Sequence, residues 1–341
     1  MTTLGPARAI REVIEPVDTA ALGEIRAAGQ PVVLRGIVNH WPLVKASEHS
    51  NHRLVEYLCA EPARQSVGAI AAPPSEQGRF FYKPDLSGFN FHFGRGDLSV
   101  FLSDLLRLAE TEDAPGMAIQ SEDLSALVPR VAQENRLDLL PSVRPRIWIG
   151  NRIRVAPHYD LKENIACCVA GRRRFTVFPP DQTANLYPGP LELTPAGAPI
   201  SMVDLAAPDL AAFPRFADAW AAAQSTELQP GDAIYLPYCW WHGVDSLDAV
   251  NILVNYWWTD PVVEGIGGAH DALLHAMFAL RHLPPDQRAV WRDKFEFYVF
   301  GTADAGAHLP PHIRGVLGAP SPALFARMRA MLQSALSGRL P

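Results

Sequence analysis

The sequence predicts a mainly β protein, an antiparallel sandwich or barrel with flanking helices and a helical extension at its C-terminal end. Two observations carry this. Between residues 146 and 260 the chain breaks into short apolar runs, RIWIGN, NIACCVAG, RRFTVFPP, GDAIYLP and AVNILVNYWW, separated by Gly and Pro turns with no helices alternating between them. Before and after this block, apolar residues recur at the i, i+3, i+4 and i+7 spacing of amphipathic helices. The 31 prolines are scattered along all 341 residues, which fits many short connections and argues against a single disordered tail.

Taken in order, residues 18–29 (DTAALGEIRAAG) read as a short amphipathic helix, followed by the strand-like run PVVLRGIV. Residues 79–96 (RFFYKPDLSGFNFHFGRG) alternate aromatic and polar positions, as strands or an extended aromatic loop do. From 97 to 140 the pattern is helical, with LSVFLSDLLRLAE and then LSALVPRVAQENRLDLL. An Ala-rich helix or long loop at 202–224 interrupts the β block. After Pro261 three further helical segments follow, HDALLHAMFALRHL, DQRAVWRDKFEFYVF and ALFARMRAMLQSAL. No Gly/Ser linker sets them apart, so residues 1–260 read as one domain and 261–341 as an extension that caps it or pairs two subunits.

Composition narrows the function classes. A hydrophobic content of 48% and a mean hydropathy near zero describe an ordinary globule with a sizeable core. The formal net charge of -6 offers nucleic acid no bulk electrostatic attraction. There is no apolar run of membrane-spanning length, and MTTLGPARAIREVIEP lacks the apolar core of a secretory signal, so the expected compartment is the cytoplasm. The four cysteines, at 59, 167, 168 and 239, form no CxxC pair and read as reduced thiols, those at 167 and 168 as strand interior.

The chemistry begins in APHYDLKENIACCV. On a strand His158 and Asp160, two residues apart, project from one face, so an imidazole and a carboxylate converge on one cation. A second imidazole comes from GDAIYLPYCWWHGVDS, where His242 follows a strand ended by Pro237. Two His and one carboxylate are the ligand set of non-haem Fe(II) oxygenases, and the three positions left open suit a bidentate cosubstrate and dioxygen. Among 11 histidines a lone HxD is a weak signal. Its placement at the head of a β-rich block, with the second His in the other half, is the spacing a double-stranded β-helix requires.

HYDLKEN, GRRRFTVFPPDQTANLYPGP, PGDAIYLPYCWWHGV and VNYWW resemble the JmjC-type, cupin-8 family of Fe(II)/2-oxoglutarate oxygenases, which includes an asparaginyl hydroxylase. The resemblance spans roughly residues 20–260 and is densest over 146–258. It implies a double-stranded β-helix (the cupin/JmjC jelly roll), bound Fe(II) and 2-oxoglutarate, and hydroxylation of a protein side chain or small molecule. The ligands carry over to His158, Asp160 and His242. Asn164 and Asn255 match polar positions of the cosubstrate pocket, and Trp257 matches its aromatic wall. Arg173 stands where the family usually has the Lys that meets the distal carboxylate, and an Arg offers that carboxylate a bidentate fork. Asn164, at an even offset from His158, shares its face if the strand runs on unbroken, as Asn251, Leu253, Asn255 and Trp257 share theirs. The family also points to a homodimer, as do the apolar faces of the C-terminal helices.

Two positions depart from the asparaginyl hydroxylase. Val155 replaces a Thr hydroxyl and Ala118 a Tyr, while Gln120 survives nearby; a looser pocket, different anchors or a different cosubstrate would each follow. Plainer readings stand beside the others. The two Asn residues can serve the barrel backbone, and Arg172, Arg173 and Arg174 can form a basic turn. Tyr82, Phe89, Phe91 and Phe93 read as core before they read as a substrate entrance. Trp240 and Trp241 read as packing beside the second metal-bearing strand. Lys162 can meet substrate or simply face solvent, and His92, His270, His275 and His282 fit no ligand spacing. Against an oxygenase stands a metal-binding cupin with a regulatory or binding role and no oxidative turnover. The intact triad favours the enzyme, since a buried carboxylate and two imidazoles are costly without a metal. A cupin isomerase would need a further His or Glu ligand, for which there is no candidate.

Overall fold

The computed structural model describes residues 4–195, 197–260 and 266–338. The predicted boundary at Pro261 lies outside them. The chain divides into two compact units, residues 1–258 and 259–341. No helix among the described residues is long and apolar enough to cross a membrane.

The first unit starts with two short strands, β1 (Arg8–Ala9) and β2 (Arg11–Val13). Helix α1 (Thr19–Ala28) is the one predicted over 18–29: the Asp18 carboxylate accepts from the Ala21 amide, and Gly29 ends the helix at φ 60. Then come β3 (Val32–Leu34), α2 (Pro42–His49), α3 (Asn51–Leu58), β4 (Val67–Ala72), β5 (Arg79–Phe80), β6 (His92–Gly96) and α4 (Leu98–Leu108). The stretch from 97 to 140 is not helical throughout. A strand, β7 (Gly116–Asp123), separates α4 from the short α5 (Leu124–Leu127) and α6 (Pro129–Glu134). GMAIQSED has no clean period of two; it is a strand because β4 and β8 pair with it from either side.

The β block supplies β8 (Pro145–Gly150), β9 (Arg154–His158), β10 (Glu163–Ala170), β11 (Arg173–Phe178), β12 (Gln224–Leu228), β13 (Ala233–Leu236), β14 (Trp241–Ser246) and β15 (Asn251–Trp258), with α7 (Phe216–Ala222) before β12. Among the described residues the strands form a nine-stranded sheet, β2-β3-β13-β10-β15-β8-β7-β4-β6, and a six-stranded sheet, β1-β12-β11-β14-β9-β5. The central pairings are antiparallel as expected. The short pieces β1, β2 and β5 pair in parallel, so both sheets are mixed.

Alternation along the strands decides which side faces the second sheet. Ile165, Cys167 and Val169 of β10 pack with the helices, while Ala166 and Cys168 meet Phe175, Val177 and Val244 of the other sheet. Residues 165–169 of β10 are therefore apolar on both faces, which is why they read as a continuous hydrophobic run. The same topology corrects one expectation. β9 and β10 belong to different sheets, so His158 and Asn164 do not lie on one unbroken strand.

The second unit contains α8 (Ala269–Leu280), α9 (Pro285–Phe295) and α10 (Pro322–Leu336). None of the three helices buries a residue.

Candidate functional site

Strand β14 pairs with both β11 and β9, and in that register His242 stands directly opposite His158. Their rings lie 4.4 Å apart. Each Nδ1 is 3.0 Å from the carbonyl oxygen two residues back, Ala156 for His158 and Trp240 for His242. A carbonyl only accepts, so both Nδ1 atoms carry a proton, and Nε2 is the nitrogen each ring can offer to a metal. Asp160 is not on the strand with His158. β9 ends at His158, and Asp160 sits in the turn beyond it, where its carbonyl accepts from the Cys239 amide at 3.1 Å. Its Oδ2 is 3.7 Å from His242 Nε2 and accepts from Trp257 Nε1 at 3.0 Å.

One donor atom from each of the three residues falls within 4.8 Å of the others, and among the described residues no second such cluster forms. Burial first, and the neighbouring His158 imidazole second, push the His242 imidazole down to about 4 against the pull of Asp160, so it is neutral at neutral pH, as a ligand must be. Two imidazoles and a carboxylate converging in this way fit a divalent first-row metal.

The triad opens on a cavity of about 440 Å³. Arg173 enters it from β11 and is 6% exposed. Its Nε has no hydrogen-bond partner and no carboxylate pairs with it among the described residues. Its neighbours differ: Arg172 pairs with Asp248 and Glu227, and Arg174 reaches Glu227. The period of two along β11 turns Arg173 in and Arg174 out, and Arg172, just before the strand, is exposed as well. Burial pushes the Arg173 guanidinium down to about 10, so it stays charged at neutral pH. Val155, Ala166, Phe175, Val244 and Leu253 form the apolar part of the cavity's walls.

The large sheet supplies the polar side of the cavity. Asn255 Nδ2 donates to Asn164 Oδ1 at 3.0 Å, and Trp148 Nε1 donates to Asn255 Oδ1 at 2.8 Å. Both amides are thus tied to side chains; it is Asn251 that serves the backbone, donating to the Asn151 and Asp248 carbonyls. Trp257 and Gln120 also line the cavity, as do Val155 and Ala118. Lys162 lies outside, with Nζ 5.8 Å from the Trp257 ring. Tyr82 and Phe91 are core, Phe89 stacks between them, and Phe93 at the end of the row is 66% exposed. Trp148 was missed by the sequence reading, which saw RIWIGN only as a strand. The one available hint was an indole between two isoleucines, the alternation that turns a polar-tipped ring inward.

Residues 19–263 match the cupin-like domain. The chain belongs to this family. Cupin-like relatives include the Jumonji C domain-containing protein 5 of Drosophila melanogaster, 28% identical over 72% of this chain and 59% of that protein. The lysine-specific demethylase 8 of Xenopus tropicalis is 25% identical over 67% of this chain and 48% of its own length. The HSPB1-associated protein 1 homolog of Danio rerio is 37% identical over 33% of this chain and 24% of its own. This cupin-like chain therefore spans less than two thirds of each of these relatives.

Proposed function

We propose that this protein is an Fe(II)- and 2-oxoglutarate-dependent oxygenase acting on a protein side chain or a small molecule. The observation that carries the reading is Arg173, a buried cation with no counter-ion among the described residues that shares a cavity with three convergent metal donors. A charge left so needs an anion, and a dicarboxylate bound in the same cavity as the triad would supply one. Bound iron supplies the redox chemistry, in which 2-oxoglutarate and dioxygen give succinate and CO2 while one oxygen atom enters a substrate C–H bond.

The protein's own part is holding and orienting. His158, Asp160 and His242 would hold the metal from one side and leave the other open. Arg173 would hold the distal carboxylate of 2-oxoglutarate through its N–H fork, with Val155, Phe175, Val244 and Leu253 keeping water from the pair. Asn164, Asn255, Trp257 and Gln120 would line the rest. Hydroxylation and removal of an N-methyl group differ only in which C–H bond receives the oxygen, so a relative named as a demethylase is compatible with this site. Cytoplasmic residence suits the four free thiols. With Fe(II) and ascorbate the protein should convert 2-oxoglutarate to succinate slowly without added substrate, and only in oxygen. Binding of metal and 2-oxoglutarate with no succinate formed would mark the non-oxidative cupin instead.

The second unit is proposed to pair two copies of the chain. It leaves Leu273, Leu274, Phe278, Trp291, Tyr298 and Phe300 exposed, Phe278 at 75%, with no apolar core of its own among the described residues. Apolar surface of that extent is rarely left in water, and a two-fold pairing covers it on both copies at once. Light scattering at micromolar concentration should give twice the 37.4 kDa chain mass. A monomer mass would rule the pairing out.

A further inference from the structure

The order of donors and acceptors across the large sheet is fixed from one end. Trp148 lines the cavity from β8, while its neighbours Ile147 and Ile149 pack with the helices. An indole nitrogen can only donate, so the Asn255 atom 2.8 Å from it must be the amide oxygen. That turns the Asn255 NH2 toward Asn164, and the atom it meets at 3.0 Å must in turn be an oxygen. Asn164 is then left with its own NH2 to place. It is buried, it lines the cavity, and among the described residues its NH2 has no acceptor.

We propose that Trp148 is a positioning residue that acts through Asn255 to make Asn164 a donor toward the cavity, and so an anchor for the carboxylate or keto oxygen of a bound 2-oxo acid. The inference rests on the cosubstrate reading above for the identity of that ligand, but not for the direction of the relay. With Phe at 148 nothing holds the Asn255 oxygen in place. The two amides then rotate together, Asn164 presents its oxygen, and an anion meets an acceptor. Strands β8, β15 and β10 are adjacent, so the effect passes through two hydrogen bonds and no change of backbone.

The test is a double-mutant cycle on the full chain loaded with Mn(II), reading the Kd for 2-oxoglutarate by calorimetry. Trp148→Phe and Asn164→Ala should each weaken binding about tenfold, and the double variant should bind no more weakly than Asn164→Ala alone. Mn(II) affinity, measured separately, should be unchanged in Trp148→Phe. Costs that multiply to about a hundredfold would make Trp148 a packing residue and overturn the relay, as would Trp148→Phe binding within about twofold of the parent. Should Trp148→Phe not fold, Asn255→Leu severs the same relay one link along, and the same non-additivity with Asn164→Ala is expected. If the Mn(II)-loaded parent does not bind 2-oxoglutarate, the cosubstrate reading falls on its own. The relay is then read from the Trp148 indole N–H resonance, identified by its absence from Trp148→Phe. That resonance should move in Asn255→Leu and, less, in Asn164→Ala; if it stays in place in both, the relay is wrong.

Discussion

Replacing Asp160 with Ala should strip the protein of its metal while leaving both sheets folded. Asp160 is the only carboxylate of the donor set, and His158 and His242 offer two imidazole nitrogens that hold a divalent ion weakly by themselves. Loss of an outer-shell partner alone typically costs 10- to 100-fold in metal affinity, so loss of the charged ligand should exceed about 100-fold. The fold should survive because Asp160 lies in a turn, outside the ladder of β9, and its structural hydrogen bond runs from the Cys239 amide to its backbone carbonyl. Asp160→Asn separates charge from shape. It keeps an oxygen for the Trp257 indole and loses the charge, so its metal content should also fall. Both variants are checked by metal content after dialysis, with circular dichroism and Tm as the control for folding. A full complement of metal in Asp160→Ala would refute the triad.

Much of this site was legible in the sequence, although part of the geometry behind the reading was not. His158 and Asp160 converge, but not because a strand places residues i and i+2 on one face; the strand stops at His158, and a turn pinned by Cys239 brings the carboxylate round. Asn164 reaches the cavity from the opposite sheet, so its even offset from His158 had no bearing on its position. Arg173 was legible only through its place in the family pattern; that it turns inward while Arg174 stays out follows from the alternation along β11, which the folded strand shows. Its lack of a counter-ion was not legible, because ion pairs join residues such as Arg172 and Asp248 that only the folded sheet brings together. β7 and Trp148 share one cause of invisibility. A strand made by its neighbours, and a side chain whose partner is chosen by the phase of one strand against another, depend on pairing registers, of which the alternation in RIWIGN gives only the face and not the partner.

Arg173→Ala should raise the apparent KM for 2-oxoglutarate steeply and leave metal binding as it was. Arg173 stands on β11, in register with Ser246 of β14 and Leu228 of β12, and lines a cavity that Val155, Ala166, Phe175, Val244 and Leu253 also line. Val155 and Ala118 bring no hydroxyl to share the anchoring. An anion held there is held by a buried, charge-assisted pair, and losing one partner of such a pair typically costs about 2–5 kcal/mol, or roughly 30- to 4000-fold in affinity. Burial lowers the guanidinium only to about 10, so the charge is present throughout the neutral range and affinity should change little between about pH 6 and 8 on its account. Arg173→Lys should recover part of the loss, since it keeps a cation but gives up the planar fork. Metal content in both variants should equal that of the parent, because Arg173 donates to none of the three ligands. Direct titration of metal-loaded protein with 2-oxoglutarate separates binding from turnover, and if Arg173→Ala binds it as tightly as the parent, the distal carboxylate is anchored elsewhere.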